Sequence, residues 1–523
     1  MALFATPSVA SSQAPAPAQP HAANPAPSLP DSPLGHLGLA LIAAVNSGDS
    51  ATISRFVNDH VGVDERSRSS STMARMLVTL HEQSGGLDIE RARMADAALR
   101  IMTHARNGRR WLGIQLDPAV NDTTRIGNMM LLPMDDPGPR YPPKPWATTA
   151  LSEEQVATLI RDHVRQAADS DHFSGVVLVA HGDRVLAHEV YGFADQGAQR
   201  RNTRETRFAT ASVGKMFTSV AIAQLVERGL LRFDDTVAKI LPEYPNREAA
   251  KRITVRQLLT HTAGVPEPFW SSRFGAASPQ ATHLELLATF ADAPLEMEPG
   301  SAFRYGNGNY ATLGAIIEKL SGERYEDYLR RHVWAPAGMT RVEHPAWTLT
   351  ADEALGYARF AELDPLGIDP RRPETVRNGA AVKAALRGFG GGAFTAEDLF
   401  RFARALRTGK LVRREMADTL TTGRVDIGEG APVTYGFGFY VQQMDDQRII
   451  GHPGSNPDTG HDADVEMVGD GEWTVVVLSN YDAPAGMQLE WPILTLLAQQ
   501  SSFAAKGKGT SAPTTPATGG GKP

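Results

Sequence analysis

The segment Phe208–Ser219, FATASVGKMFTS, places Ser212 and Lys215 three residues apart at the start of an apolar run. Residues with this spacing lie on the same face of a helix, so we expect the ammonium of Lys215 beside the hydroxyl of Ser212. A serine hydroxyl becomes a good nucleophile when a neighbouring base takes its proton, and a buried lysine with a lowered pKa can be that base. The free N–H groups of the helix start would stabilise developing negative charge. The segment therefore predicts an activated serine, with a chance Ser-x-x-Lys spacing as the alternative.

The sequence on both sides of this segment predicts an α+β fold. Two β-rich runs, 176–180 and 185–191, flank the turn His-Gly-Asp and predict a hairpin. From Lys215 to about Leu406 the pattern is mostly helical, and strand patterns return in TYGFGFYVQQM, RIIGHPG, DADVEMV and WTVVVLSN before a closing helix. We therefore expect one antiparallel sheet flanked by helices, with a helical domain inserted between its strands.

Three low-complexity stretches divide the 523 residues into separate units. We expect a disordered leader or tail over 1–33, a small accessory domain over 34–135, a Pro-rich linker over 136–150, a catalytic domain over 151–503 and a disordered tail over 504–523. The leader resembles the end of a secretory signal but has no charged start, so a trimmed signal and a plain disordered tail both stay open. A periplasmic or secreted location is expected, with the cytoplasm as the alternative.

The smaller unit begins with helical patterns and ends with alternating, strand-like ones. Asp49 or Ser50 is placed to cap a second helix, and RRWLGIQLDP and RIGNMMLLPM are typical of paired strands. This order predicts a small α+β domain, which resembles the nuclear-transport-factor-like modules found beside some bacterial hydrolases. We expect it to serve in packing or as a homo-oligomer contact, with substrate capture as the alternative.

The composition excludes several classes of function. The net charge of −7 argues against general binding to nucleic acid or to an anionic membrane, and no apolar run is long enough to span a bilayer. The chain has no cysteine, which excludes disulfides, thiolate metal sites and a cysteine nucleophile. The run His461–Asp464, HDAD, lacks metal-ligand spacing and is interpreted as a polar loop, so we expect no metal and no cofactor.

Three motifs in a fixed order carry a family resemblance. They are SVGK at 212–215, YGN at 305–307 and HPG at 452–454, and phrases such as ITVRQLLTHTAGVP and RGFGGGAFTAEDLFRF accompany them. From about 174 to 498 the chain resembles the serine β-lactamases, penicillin-binding DD-peptidases and family VIII carboxylesterases, whose motifs are Ser-x-x-Lys, Tyr-x-Asn and Lys/His-x-Gly. A second Tyr-x-Asn, YPN at 244–246, lies too near Ser212 and is interpreted as a turn.

The resemblance implies a role for each motif residue. Ser212 would be the nucleophile, and Lys215 and Tyr305 would act as an acid–base pair in which the lysine charge lowers the pKa of the phenol. The substrate-binding residues that it implies are Asn307, His452, Gly454 and Ser455. Among these, Asn307 would orient substrate and Lys215, the N–H groups of Ser212 and Ser455 would form an oxyanion hole, and His452 would line the pocket. A strand histidine with internal hydrogen bonds is the alternative for His452.

The chain departs from the lactamase pattern in ways that bear on substrate. No Lys-Thr-Gly occurs, His452 replaces a permanent cation, and Pro453 brings neither a hydroxyl nor a backbone N–H. Gly306 stands where a serine is usual. These changes weaken recognition of an anionic substrate, so we expect a carboxylesterase-type serine hydrolase acting on small esters. The alternatives are a D-amino-acid-specific peptidase or weak β-lactamase acting on a small peptide or lactam, and a non-catalytic binding protein.

Overall fold

A computed structural model gives the structure of the chain. It describes residues 29–62, 70–95, 98–106, 111–119, 122–134, 146–268, 271–275, 277–278, 281–340, 350, 352–357, 392–427, 433–444, 446–456, 460–483 and 485–509. Residues 1–28 of the expected leader, 136–145 of the expected linker and 510–523 of the expected tail lie outside the described residues.

The N-terminal unit consists of three helices and a four-stranded antiparallel sheet. Its elements are α1 (Pro33–Ser47), α2 (Ser50–His60), α3 (Ser70–Ser84), β1 (Leu87–Ala95), β2 (Ala98–Ala105), β3 (Trp111–Ala119) and β4 (Asp122–Met134). The strands follow one another in sheet order, and β3 pairs with β4 as predicted. The carboxylate of Asp49 accepts hydrogen bonds from the first N–H groups of α2, which confirms the predicted cap.

One core holds this unit together. Apolar side chains of the helices, among them Leu41, Val45 and Leu77, pack against sheet residues such as Leu99 and Ile114. Helices followed by strands were expected for this unit, and the structure confirms that order. The likeness to nuclear-transport-factor modules stays a prediction.

The second unit is organised around an eight-stranded antiparallel sheet in the order β11-β12-β13-β14-β15-β16-β5-β6. Its strands are β5 (Gly175–His181), β6 (Arg184–Tyr191), β11 (Val425–Asp426), β12 (Val433–Tyr435), β13 (Tyr440–Met444), β14 (Gln447–Asn456), β15 (His461–Val468) and β16 (Trp473–Ser479). Two small ladders join β7 (Phe193–Asp195) to β8 (Arg200–Arg201) and β9 (Phe208–Ala209) to β10 (Ala393–Phe394). Because β5 pairs with β16, the two ends of the region share one sheet, as predicted.

Helices lie on both faces of this sheet. They are α4 (Glu153–Asp169), α5 (Lys215–Glu227), α6 (Val237–Ile240), α7 (Arg247–Arg252), α8 (Val255–Leu259), α9 (Ser272–Gly275), α10 (His283–Leu287), α11 (Asn307–Ser321), α12 (Tyr325–Leu329), α13 (Ala335–Ala337), α14 (Ala396–Arg407), α15 (Arg414–Thr421) and α16 (Ala485–Gly509). Those between β9 and β11 form the inserted helical region. The closing helix α16 runs six residues past the predicted domain end at 503.

The alternating side chains of β15 separate two cores. Ala463, Val465 and Met467 pack with the inserted helices, whereas Val468 packs with α4 and α16. Asp462, Asp464 and Glu466 lie on the same side of β15 as Val468 because side chains alternate along a strand. All three carboxylates are buried. The interpretation of His461–Asp464 as a polar loop was therefore wrong: the run begins a buried central strand.

Within the part of the chain that the structure describes, no helix has both the length and the apolar character needed to cross a bilayer.

Candidate active site

Ser212 lies on a short 3₁₀ turn, Ala211–Gly214, which leads directly into α5. The preceding residue, Ala211, has φ of +41°, a conformation that is costly for a residue with a Cβ. The N–H of Thr210 donates to the carbonyl of Gly392, so the strand before the turn is held by the neighbouring β10 segment. The turn leaves Ser212 partly exposed while its neighbours Ala211 and Val213 are buried.

Lys215 is fully buried at the first position of α5. Its Nζ lies 2.9 Å from Ser212 Oγ and 2.8 Å from Asn307 Oδ1. Burial disfavours the ammonium form and lowers the pKa of Lys215 to about 7, although the nearby carboxylate of Glu267 opposes the shift. Near neutral pH a substantial fraction of Lys215 is therefore unprotonated and in contact with the serine hydroxyl.

Asn307 begins α11 and is oriented by Glu267, a residue that the sequence analysis did not single out. The backbone N–H of Asn307 donates to Glu267 Oε2 over 2.8 Å, and its side-chain Nδ2 donates to Oε1 over 3.2 Å. Because the amide nitrogen faces the carboxylate, the amide oxygen must face Lys215. The sequence PEP offered no spacing that would have marked Glu267 as part of the site.

Tyr305 is brought to the same place, with the Lys215 Nζ 4.8 Å from the centre of its ring. Its buried hydroxyl makes no hydrogen bond of ordinary geometry with a described residue, although Ser212 is near enough to lower its pKa. Burial dominates and raises the pKa of Tyr305 well above its usual value. The expectation of a lowered pKa was wrong, because burial disfavours the phenolate more strongly than any neighbouring group favours it.

Strand β14 brings the third motif against the nucleophile. A Cβ on Gly454 would overlap the carbonyl oxygen of Thr210 and lie 3.0 Å from the Ser212 nitrogen, so only glycine lets the strand approach this closely. Ser455 follows Gly454 and is exposed. The backbone at Gly454 thus passes close to the Ser212 N–H. The pairing of the Ser212 and Ser455 N–H groups in an oxyanion hole stays a prediction.

His452 does not face open space. It is 1% exposed, its Nε2 lies 3.0 Å from the Tyr435 hydroxyl, and its Nδ1 lies 2.6 Å from the carbonyl oxygen of Pro453. Burial lowers the pKa of His452 to about 3, so the ring is neutral. Both ring nitrogens are engaged inside the protein, which contradicts the expectation of direct contact with substrate and supports the alternative of an internally bonded strand histidine.

His261 lies in LLTHTAG, a segment that accompanies the three motifs, but the sequence analysis assigned it no role. It is buried with φ of +57°, and its ring lies 4.3 Å from that of Tyr305. Its Nδ1 accepts from the Gly306 N–H and its Nε2 lies 3.2 Å from the Tyr435 hydroxyl. A histidine before a small-residue turn gives too little signal to be identified from one sequence.

The second Tyr-x-Asn sequence has the structural role that was expected of it. Tyr244 is buried, and the side chain of Asn246 caps α7 by accepting from the Ala249 N–H. Of the two such motifs, the structure brings Tyr305 and Asn307 to Lys215.

The structure brings together residues of the three motifs that carried the family resemblance: Lys215 contacts Ser212 and Asn307, and Gly454 approaches Ser212. Comparison with known proteins supports the same family. A family model described as Beta-lactamase matches residues 160–500, more than half of the chain. The chain belongs to the beta-lactamase family. This family assignment makes it a serine hydrolase of the β-lactamase and penicillin-binding protein type.

Proteins that are similar to this chain include penicillin-binding proteins and a D-aminopeptidase. Penicillin-binding protein 4* of Bacillus subtilis is 28% identical over 320 residues, which cover 60% of this chain and 69% of that protein. The D-aminopeptidase of Brucella anthropi is 28% identical over 291 residues, covering 54% of this chain and 51% of that protein. The crystal structure of a penicillin-binding protein from Bacillus halodurans aligns with a TM-score of 0.52 at 26% identity, covering 64% of this chain and 99% of that one.

No group of His, Asp or Glu side chains within the described ranges has the arrangement of a metal site.

Proposed function

We propose that this family member hydrolyses carboxylic esters through an acyl-enzyme on Ser212. The observation that carries the proposal is the 2.9 Å contact between Ser212 Oγ and the Nζ of a fully buried lysine whose pKa lies near 7. A lysine with an ordinary pKa would be protonated at neutral pH and could not accept the serine proton. Burial of Lys215 therefore supplies the base that the chemistry needs.

In the acylation step, Lys215 takes the proton from Ser212 while the serine oxygen attacks the ester carbonyl. Asn307 Oδ1 holds the resulting ammonium in place, and Glu267 keeps the amide turned so that its oxygen faces the lysine. The negative charge on the carbonyl oxygen would be stabilised by the N–H groups of Ser212 and Ser455. The close approach of Gly454 to Ser212 supports this pairing of donors.

Tyr305 is proposed as the acid of the pair. Since burial raises its pKa, the phenol stays protonated and can donate to the leaving alkoxide, recovering a proton from the Lys215 ammonium. In deacylation, Lys215 accepts a proton from the water that attacks the acyl carbonyl and returns it to the Ser212 oxygen as the acyl–serine bond breaks.

The preference for esters rests on the HPG strand. Its histidine is buried and neutral, and its proline has neither a hydroxyl nor an N–H to offer a substrate. The HPG residues themselves therefore offer no cation to a substrate carboxylate. An ester with a neutral acyl group requires no such cation, and its alkoxide leaves more readily than an amine.

A D-amino-acid-specific peptidase or weak β-lactamase is the second candidate. The similarity to a D-aminopeptidase, at 28% identity, favours the peptidase over the lactamase. A non-catalytic binding protein is disfavoured because Ser212, Lys215, Tyr305 and Asn307 are all present and assembled.

The test compares wild type with Ser212→Ala on p-nitrophenyl butyrate, nitrocefin and a D-alanyl p-nitroanilide. The proposal predicts rapid hydrolysis of the butyrate ester by wild type and near-complete loss in Ser212→Ala. Faster turnover of the D-alanyl amide or of nitrocefin would replace the esterase by the second candidate. Equal ester turnover by both proteins would falsify the Ser212 mechanism.

A further inference from the structure

A hydrogen-bond chain runs beneath the site from the Tyr305–Asn307 turn to the HPG strand. The Gly306 N–H lies 3.2 Å from His261 Nδ1, His261 Nε2 lies 3.2 Å from the Tyr435 hydroxyl, and that hydroxyl lies 3.0 Å from His452 Nε2. The chain ends at the Pro453 carbonyl, 2.6 Å from His452 Nδ1. His261, Tyr435 and His452 are each at most 1% exposed.

The direction of every bond in this chain is determined by its ends. A backbone N–H can only donate, so His261 Nδ1 must be the unprotonated nitrogen, and a neutral ring then carries its proton on Nε2. A carbonyl can only accept, so His452 must carry its proton on Nδ1 and accept at Nε2. The Tyr435 hydroxyl accepts from His261 and donates to His452, which satisfies both ends at once.

The assignment has independent support at each histidine. The side-chain Nδ2 of Asn309 lies 3.2 Å from His261 Nδ1 and also donates to the Gly306 carbonyl, so a second donor faces the same unprotonated nitrogen. Burial, reinforced by the neighbouring Lys215 charge, lowers the pKa of both His261 and His452 and keeps the rings neutral. The Tyr435 hydroxyl is likewise kept protonated, because burial raises its pKa.

We propose that His261 and Tyr435 are positioning residues of the active site, whose one-way hydrogen-bond chain fixes the HPG strand relative to the Tyr305–Asn307 turn. This inference rests on the proposed function, because the strand position matters through the oxyanion donor that follows Gly454. His261 anchors the turn through Gly306 and packs on Tyr305, while His452 anchors the strand through the Pro453 carbonyl. Tyr435 joins the two.

Such a chain affects the transition state more than substrate binding. If the strand moves, the N–H of Ser455 no longer aligns with the carbonyl oxygen, on which negative charge develops only as the transition state is reached. A misplacement of about 1 Å in a catalytic group can reduce the rate by about 100-fold. We therefore expect Tyr435→Phe to lower kcat by about 10- to 100-fold on a p-nitrophenyl ester with little change in KM.

The matched control is Tyr325→Phe. The hydroxyl of Tyr325 is as deeply buried and bonds to Thr218 over 2.6 Å, but it lies outside the chain. Both variants lose one buried hydroxyl, so a general loss of packing or stability would affect them alike. A kcat loss confined to Tyr435→Phe supports positioning. Equal kcat in Tyr435→Phe and wild type overturns it.

A second measurement is independent of activity and of any variant. In ¹⁵N-histidine-labelled wild type, long-range proton–nitrogen NMR correlations report which ring nitrogen is protonated. The proposal predicts opposite tautomers, Nε2–H for His261 and Nδ1–H for His452, both neutral from pH 5 to pH 8. The same tautomer at both positions, or a charged ring at either, would overturn the proposed chain. If wild type hydrolyses no ester but shows these tautomers, the proposed function fails and the chain stands.

Discussion

The two sides of the β14–β15 ladder respond to burial with opposite shifts in pKa. On the side of the inserted helices, three nitrogen groups have lowered pKa values: Lys215, His261 and His452. On the side of α16, four carboxyl groups have raised ones: Asp462 to about 6, Glu466 to about 8, and Asp464 and Glu490 well above their usual range. In all seven groups, removal from water disfavours the charged form most strongly.

The two sides differ in hydrogen bonding. Each nitrogen group is held by hydrogen bonds to a specific partner. In the neutral state, Lys215 is therefore a base in contact with Ser212, and the rings of His261 and His452 are fixed in orientation. The oxygens Asp464 Oδ2, Glu466 Oε2 and Glu490 Oε1 have no hydrogen-bond partner among the described residues. Burial keeps the groups on both sides neutral, but a reactive site forms only on the side where hydrogen bonds also orient the buried side chains. On the α16 side burial yields a fold whose stability depends on pH.

The largest expected effect comes from replacing Lys215 with a permanently charged side chain. Lys215→Arg keeps a cation near Ser212 but cannot give up its proton near neutral pH, so it removes the base. Ester kcat should fall about 10³-fold or more, within the range reported for loss of a general base. Lys239→Arg, on an exposed lysine paired with Asp235, is the control and should retain activity. Substantial activity in Lys215→Arg would show that another group is the base.

Acidification should protonate the same base in the wild-type enzyme. Because the pKa of Lys215 lies near 7, the neutral fraction and hence kcat/KM should fall about 50-fold between pH 7 and pH 5. The activity should rise with pH through about 7, since the neutral form is the active one. A kcat/KM profile on a p-nitrophenyl ester measures it. A flat profile from pH 5 to pH 8 would contradict the assignment of Lys215 as base.

On the carboxyl side the expected change is in stability. Glu466 holds its proton to about pH 8 in the folded protein but releases it near 4.5 once unfolded, so folding is favoured at low pH and loses this contribution as pH rises toward 8. Glu466→Gln cannot ionise. Between pH 6 and pH 8 wild type should lose roughly 2 kcal/mol of stability relative to the variant.

Denaturant unfolding of the catalytic unit at the two pH values measures this difference. Glu415→Gln, which replaces an exposed carboxylate on α15, is the matched control and should behave as wild type does. If Glu466→Gln and wild type lose stability in parallel over this interval, the carboxyl of Glu466 is ionised in the folded protein and the comparison between the two sides fails.

The smallest effect is expected from removing the negative charge of Glu267, which lies near Lys215. Glu267 raises the pKa of Lys215 against the effect of burial, so Glu267→Gln should lower that pKa and move the acidic limb of the kcat/KM profile to lower pH, by less than about one unit. The pH profile of the variant measures the shift. Movement of the limb to higher pH would show that the charge of Glu267 does not act on the base as the structure indicates.

The sequence predicted the parts of the fold and site that depend on local pattern. The hairpin of β5 and β6, the inserted helices and the contact between Ser212 and Lys215 follow from period, spacing and helix geometry. Long-range packing was not predictable in this way. The run HDAD looked polar in sequence, but pairing with β14 and β16 places it in a buried strand.

The same limit explains the errors at the site. Whether His452 faces substrate or the interior depends on the strand register and on Tyr435, which lies on another strand of the sheet. The raised pKa of Tyr305 follows from burial, which no motif reports. Glu267 and His261 act through contacts across loops whose geometry a single sequence does not contain.

The central claim is that burial leaves Lys215 as a neutral base for Ser212. Its most direct test is the rate of labelling by a fluorophosphonate as a function of pH, with the modified residue identified by mass spectrometry. The account predicts a single adduct on Ser212, formed at a rate that rises with pH around a midpoint near 7 and is strongly reduced at every pH in Lys215→Arg. An adduct on another residue, or a Ser212 rate that does not change between pH 5 and pH 9, would contradict it.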